Sequence, residues 1–97
     1  MGKVSVCIPT YNQSAYLSAA VESAFNQTQQ PIEVCIADDC STDATGQVLT
    51  ELQARYPGLL LLKQEQNLGI SANVNAVLSM SRTEYIVRLD SDDLLLS

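Results

Sequence analysis

The chain has 97 residues, 46% of them hydrophobic and 16% charged, with a formal net charge of -6. This length holds one small domain, and the apolar fraction excludes an intrinsically disordered chain. The acidic balance excludes a nucleic-acid-binding face, and no run reaches the ~20 apolar residues that a membrane helix needs.

The elements are legible in chain order. Val4 to Ile8 is an apolar, β-rich run closed by Pro9, and it reads as a strand rather than a signal peptide. Leu17, Ala20, Val21, Ala24 and Phe25 then recur at helical spacing, with Asn12 or Ser14 as the expected cap. Residues 27–31 are polar and read as the exit loop. Ile32 to Ala37 is a second strand that runs into Asp38-Asp39-Cys40-Ser41-Thr42-Asp43. Ser41, Thr42 and Asp43 are candidate caps of a second helix, which reaches about Tyr56. It buries Val48, Leu49 and Leu52 and ends before Pro57-Gly58. Leu59 to Lys63 is a third strand, and 64–69 is a loop. Ser71 to Met80 is a third helix, with Ala72, Ala76, Val77 and Met80 at helical spacing. Residues 84–89 form a fourth strand that meets Asp90-Ser91-Asp92-Asp93.

The pattern β-α-β-α-β-α-β predicts an α/β fold. The sheet should be doubly wound and mostly parallel, with right-handed crossovers and helices on both faces. Near-continuously apolar strands agree with a sheet covered on both sides. Ligands of such sheets bind beyond the carboxyl ends of the strands. Three of the four strands end in suggestive polar sequence: Pro9-Thr10-Tyr11-Asn12, Asp38-Asp39, and Asp90 to Asp93. Cys7 and Cys35 lie inside apolar strands and read as small buried hydrophobes, and the chain has no histidine to complete a zinc site. A reducing cytoplasm is the simplest home for them.

Six of the eleven acidic residues fall into two groups, Asp38, Asp39 and Asp43 and then Asp90, Asp92 and Asp93. Grouped carboxylates repel one another and ask for a cation or another positive partner. A D-x-D at a strand end offers hard oxygens that suit Mg²⁺ or Mn²⁺, although acidic turns after strands are also common as plain solvated turns. A carboxylate at the end of the second strand suits ribose hydroxyls or a base N–H. The first βα turn holds no G-x-G-x-x-G, and no P-loop is present, which disfavours a dinucleotide site and a P-loop site. Tyr11 offers a flat ring for a base to stack on, or is simply a half-buried loop tyrosine. Asn67-Leu68-Gly69 is an ordinary turn, or a loop that approaches a ligand closely.

Taken in order, these segments resemble family 2 glycosyltransferases of the GT-A type. Val4 to Asn12 is similar to the opening of that family. Asp38 to Asp43 resembles its D-D-x-S-x-D segment, and Asn67 to Asn75 resembles its N-x-G-x-S-x-A-R-N stretch. Arg88 to Asp93 resembles the D-x-D-D that closes its donor half. The resemblance covers essentially the whole chain. It implies a Rossmann-like donor half that binds a nucleoside diphosphate sugar, a UDP-sugar first among candidates. It also implies inverting, metal-assisted transfer to an acceptor hydroxyl.

By resemblance, Pro9 and Tyr11 line the base pocket, and Asp39 bonds the base edge while Asp38 supports the loop or the ribose. Asp90 lies by the ribose, Asp92 binds the Mn²⁺ or Mg²⁺ with Asp90, and Asp93 neighbours it. Asn12, Asn67, Gly69, Asn75 and Ser91 complete the nucleotide contacts that the resemblance implies. Val74 stands where the family often carries arginine, and Asn73 replaces a small residue. Both departures put the diphosphate contact and the donor type in question.

The resemblance places the general base past the D-x-D, and no residue up to Ser97 can be matched to it, so it is expected beyond Ser97. Residues 1–97 are therefore expected to be a single donor-binding domain, cut at its C-terminal end and inactive alone. The parent enzyme would act on a glycan, lipid or protein acceptor in polysaccharide or envelope biogenesis, in the cytoplasm or at the cytoplasmic face of a membrane. Three other readings stay open. One is a non-catalytic nucleotide-binding module. The second is a receiver-like domain, disfavoured because Pro9-Thr10 and Lys63-Gln64 occupy its acidic positions. The third is a fragment that self-associates into a homo-oligomer through an exposed sheet edge or the apolar Leu94 to Leu96.

Overall fold

A computed structural model of the chain describes residues 4–26, 32–83 and 85–90. The exit loop expected at 27–31 lies outside the described residues. So does all of 91–97, from Ser91 through the apolar Leu94 to Leu96 to Ser97.

Seven elements alternate along the chain: β1 (Val4–Thr10), α1 (Ser14–Phe25), β2 (Ile32–Asp38), α2 (Thr45–Arg55), β3 (Leu60–Lys63), α3 (Ile70–Ser79) and β4 (Tyr85–Arg88). The strands form one parallel sheet in the order β3-β2-β1-β4. The chain thus winds outward from β1 to β3, then returns to pair β4 on the other side of β1. Right-handed crossovers place α1 and α2 on one face and α3 on the other when the direction reverses. The packing agrees: α1 lies against α2 and β2, and α3 against β1 and β2.

Side chains alternate across the strands, so each strand feeds both layers. Val6, Ile8, Val34 and Ile36 pack with Leu17, Ala20, Val21, Ala24, Leu49 and Leu52 of α1 and α2. Cys7, Cys35 and Ala37 point the other way and meet Val77 of α3. Both strands are buried on two faces, which is why their sequences show no polar alternation. Each fully buried aliphatic side chain contributes about 1.5–3 kcal/mol. Cys7 and Cys35 are fully buried register partners, and burial pushes both thiols up, Cys35 to about 12. They are neutral hydrophobes here, as their sequence context indicated.

Local chemistry shifts a few boundaries. Neither Asn12 nor Ser14 caps α1: Gln13 holds the cap position, with no side-chain cap bond. Asn12 is committed elsewhere, as described below. None of Ser41, Thr42 and Asp43 holds the cap position of α2: Ala44 does, with no side-chain cap bond, and Asp43 just before it accepts from the Thr45 N–H at 2.9 Å. α3 begins at Ile70, one residue early, because Gly69 at φ 94° turns the chain into it.

At the amino ends of the strands, a polar cluster fastens β4 to the sheet. Ser5 is fully buried and donates to Glu33 Oε1 at 3.0 Å. Its hydroxyl also lies 2.7 Å from that of Thr83 and accepts from Ser81 at 2.8 Å. The Arg82 backbone N–H and guanidinium both donate to Glu33, at 3.0 and 2.9 Å. Burial pushes the Glu33 carboxyl up, but the bonds from Arg82 and Ser5 together outweigh it and hold it below its ordinary value. A carboxylate lowered on folding stabilises the fold above its unfolded value of about 4.3. That contribution is lost as pH falls through the lower, folded value. Glu33→Gln is therefore expected to lower the urea midpoint at neutral pH. The gap to the unaltered chain should close on acidification below about pH 4. A gap independent of pH would show that the charge contributes nothing.

Candidate functional site

The strand order reverses beside β1, and in open α/β sheets that is where a ligand crevice forms. A cavity of about 400 Å³ lies there, lined by Pro9, Thr10, Tyr11, Gln13, Asp39, Ile70, Asn73, Arg88 and Asp90. The register explains the gathering. Thr10 pairs with Asp38 at the ends of β1 and β2, and Cys7 pairs with Arg88. Two residues further on, Asp90 comes level with Pro9. Leu89 extends the ladder by donating to the Cys7 carbonyl at 3.0 Å.

Each wall is held by bonds between loops distant in sequence. Asn12 adopts φ 52°, a left-handed conformation that asparagine tolerates. Its backbone N–H donates to Ser41 Oγ at 2.9 Å, and its Oδ1 accepts from the Thr42 and Asp43 N–H groups at 2.8 and 3.3 Å. The loop after β1 is thereby stitched to the loop after β2, which fixes the neighbouring Tyr11. Tyr11 lines the cavity and keeps 43% of its surface exposed.

Asp38 and Asp39 are both buried and serve different partners. Asp38 Oδ1 accepts from the backbone and hydroxyl of Ser41, so it braces its own loop. Asp39 reaches across to the turn before α3. Its Oδ1 accepts from the Leu68 N–H at 2.7 Å and its Oδ2 from the Gly69 N–H at 3.0 Å. Asn67 closes the same contact, donating to the Asp39 carbonyl at 3.3 Å. Each Asp39 oxygen retains further acceptor capacity, and the residue lines the cavity. Asn73, buried on the first turns of α3, donates to the Ala37 carbonyl at 2.8 Å.

Of the residues expected in a site, Pro9, Tyr11, Asp39 and Asp90 line the cavity. Asn12, Asp38, Asn67 and Gly69 build the loops around it. Asn75 lies on an exposed face of α3 and does not line it. Ser91, Asp92 and Asp93 lie outside the described residues, and so does Ser97, past which the general base is expected.

Thr10, Gln13, Ile70, Asn73 and Arg88 line the cavity without having been singled out as ligand contacts. Lying within two residues of Tyr11 or Asp90 was the available signal for Thr10, Gln13 and Arg88, and the i, i+3 spacing at the start of α3 for Ile70 and Asn73. The Thr10 hydroxyl is buried and lacks a hydrogen-bond partner among the described residues. An unmet buried hydroxyl costs about 1–3 kcal/mol, so this one suits a polar group brought in from outside.

The described residues contain no group of three or more carboxylate, cysteine or histidine side chains able to hold a metal ion. The described part of the D-x-D supplies one exposed carboxylate, Asp90, ion-paired with Arg88 at 3.2 Å. The donors are hard oxygens, the type Mg²⁺ and Mn²⁺ take. Among the described residues, no helix is long and apolar enough to cross a membrane.

A family model described as glycosyl transferase family 2 matches residues 5–97. The chain belongs to this family. Within it, the chain is 47% identical over 92 residues to the chondroitin synthase of Escherichia coli, covering 95% of this chain and 13% of that protein. Among solved structures it is similar to S. aureus TarS 1-349 in complex with UDP, with a TM-score of 0.81 and 32% identity. That match covers 95% of this chain and 28% of TarS 1-349. It is also similar to the mannosyltransferase PcManGT from Pyrobaculum calidifontis in complex with GDP-Man and Mn²⁺. There the TM-score is 0.86 and the identity 25%, over 99% of this chain and 29% of the other. The parallel sheet with its reversal beside β1 is thus the Rossmann-like half of a GT-A glycosyltransferase fold. The chain spans less than a third of each of these relatives.

Proposed function

We propose that this chain is the donor-binding part of a glycosyltransferase that takes a sugar from a nucleoside diphosphate, UDP first among candidates. Transfer proceeds with inversion to an acceptor hydroxyl, assisted by a divalent metal. The observation that carries the reading is the cavity at the sheet reversal, where a partly exposed aromatic ring, a braced carboxylate and the start of the D-x-D meet. The relatives bound to UDP and to GDP-Man with Mn²⁺ support it.

In this reading Tyr11 stacks on the base, and Pro9 lines the same pocket. Asp39 accepts a base N–H on the lone pairs that Leu68 and Gly69 leave free. The Thr10 hydroxyl gains the partner it lacks. Asp90 meets the ribose. Asp92 and Asp90 hold Mn²⁺ or Mg²⁺, with Asp93 beside them. Such an ion, when bound, neutralises charge that develops on the departing diphosphate. The general base and the acceptor site belong to sequence beyond Ser97, in keeping with the small share of each relative that the chain spans. Residues 1–97 alone then bind the donor without turning it over. The parent protein acts on a glycan, lipid or protein acceptor in the cytoplasm, in polysaccharide or envelope biogenesis.

The test is a calorimetric titration with UDP, GDP, ADP and NAD, in Mn²⁺ and again in EDTA. Selective, Mn²⁺-dependent binding of one nucleoside diphosphate is expected. Tyr11→Ala should weaken that binding about tenfold in both conditions, since base–aromatic stacking is worth about 1–3 kcal/mol and does not involve the ion. Equal affinity in the variant would remove Tyr11 from the site.

A second reading, self-association, is favoured by β4. It is an edge strand whose Tyr85, Ile86 and Val87 are 59%, 46% and 37% exposed. A size that grows with concentration in light scattering would support it, and a constant monomer mass would exclude it.

A further inference from the structure

The chain carries six more negative than positive charges, and the cavity holds two carboxylates, Asp39 and Asp90. A nucleoside diphosphate adds more negative charge to that space. Among the described residues lining it, Arg88 is the one cation. α3 brings none: Asn73 lines the cavity and Val74 follows it. Arg88 is also placed to act. It pairs with Cys7 across the ladder, so its side chain leaves the sheet on the face that α3 covers. There it shares the cavity with Ile70 and Asn73 of the first turns of α3. Its guanidinium makes an ion pair with Asp90 at 3.2 Å, with both side chains about half exposed (50% and 51%). An exposed pair of this kind holds weakly and exchanges readily for a better partner.

We propose that Arg88 receives the phosphate charge of the donor, leaving Asp90 as the ligand enters. A guanidinium presents a fork of N–H donors that matches phosphate oxygens better than a single carboxylate oxygen at 3.2 Å. The exchange has a second consequence. Asp90, freed of its counter-charge, becomes available to ribose hydroxyls or to a cation. Arg88 thus keeps Asp90 neutralised while the cavity is empty and moves onto the phosphates when it fills. This assignment rests on the donor-site reading above and gives that site its preference for the diphosphate over the nucleoside.

The experiment compares the unaltered chain with Arg88→Gln and Arg88→Lys. UDP and uridine are titrated in EDTA, followed by amide chemical shifts, and Mn²⁺ is titrated alone. Arg88→Gln should lose about ten- to a hundredfold in UDP affinity, the range of a charge-assisted contact, and keep its uridine affinity within about twofold. Arg88→Lys, with the charge but not the fork, should fall between. Mn²⁺ alone should bind Arg88→Gln as well as or better than the unaltered chain, because Asp90 has lost its competitor.

UDP and uridine weakened equally, or Mn²⁺ binding weakened, would overturn the proposal and make Arg88 a positioning residue for Asp90. Unchanged UDP affinity in Arg88→Gln would overturn it outright. An unaltered chain that binds UDP neither in EDTA nor in Mn²⁺ would overturn the donor-site reading itself, and this assignment with it.

Discussion

Asp39→Ala is expected to abolish nucleotide binding and to lower the unfolding free energy by about 2–3 kcal/mol. Both effects come from one side chain with two duties. The Asp39 carboxylate is buried and accepts the Leu68 and Gly69 N–H groups, one on each oxygen. Removing it leaves two backbone donors without their acceptor at the start of α3. These part-buried bonds run to a charged acceptor, and a bond of that kind contributes about 1.5–3 kcal/mol. The same deletion releases the Asn67-Leu68-Gly69 turn from the cavity wall and takes away the acceptor proposed for the base edge. Urea unfolding and nucleotide titration measure the two parts separately. Asp39→Asn distinguishes them further. The amide keeps one acceptor oxygen and turns an NH₂ toward a backbone N–H, so it should cost stability while also failing to accept a base N–H at full strength. A variant at Asp39 that unfolds at the same midpoint and binds UDP as tightly would remove the residue from both roles.

Asp92→Ala is expected to bring UDP affinity in Mn²⁺ down to the value measured in EDTA, a loss of at least about tenfold, because Asp92 would hold the ion that neutralises diphosphate charge. Folding should be unaffected, because the substitution removes one of several grouped like charges. Tyr11→Ala acts differently, weakening binding with or without metal. The two variants therefore separate the base subsite from the ion subsite. Metal dependence that persists unchanged in Asp92→Ala would overturn the ion assignment.

The fold was legible in the sequence because its signals are local. Val4 to Ile8 and Ile32 to Ala37 are short apolar runs ended by breakers, and Leu17, Ala20, Val21 and Ala24 recur at helical spacing. Such periodicities depend only on near neighbours. Alternation of strand and helix then implied parallel pairing, and chirality restricted the crossovers. The strand ends that gather at the cavity followed from the same logic. Boundaries shift by a residue or two at β1, which Pro9 does not close and which runs on to Thr10, and at α3 and β3, where a glycine or a strand end sets the local geometry.

What each polar residue does was not legible, because its partner lies far along the chain. Asn12 read equally as a helix cap and as a ligand contact. Its bonds run to Thr42 and Asp43, about thirty positions away. Asp38 and Asp39 are adjacent and chemically identical, yet one braces its own loop and the other spans to α3. Successive residues at a strand end point to opposite sides, and only the packed neighbours on each side determine what they meet. Arg88 and Asn73 lay within motif segments without being singled out as ligand contacts. The parallel register carries Arg88 to the cavity, and the docking of α3 carries Asn73 there. Composition and periodicity thus specify which strands and helices form and in what order. The pairing of distant polar groups is specified by sheet register and helix docking, because hydrogen bonds act over about 3 Å in space and take no account of separation along the chain.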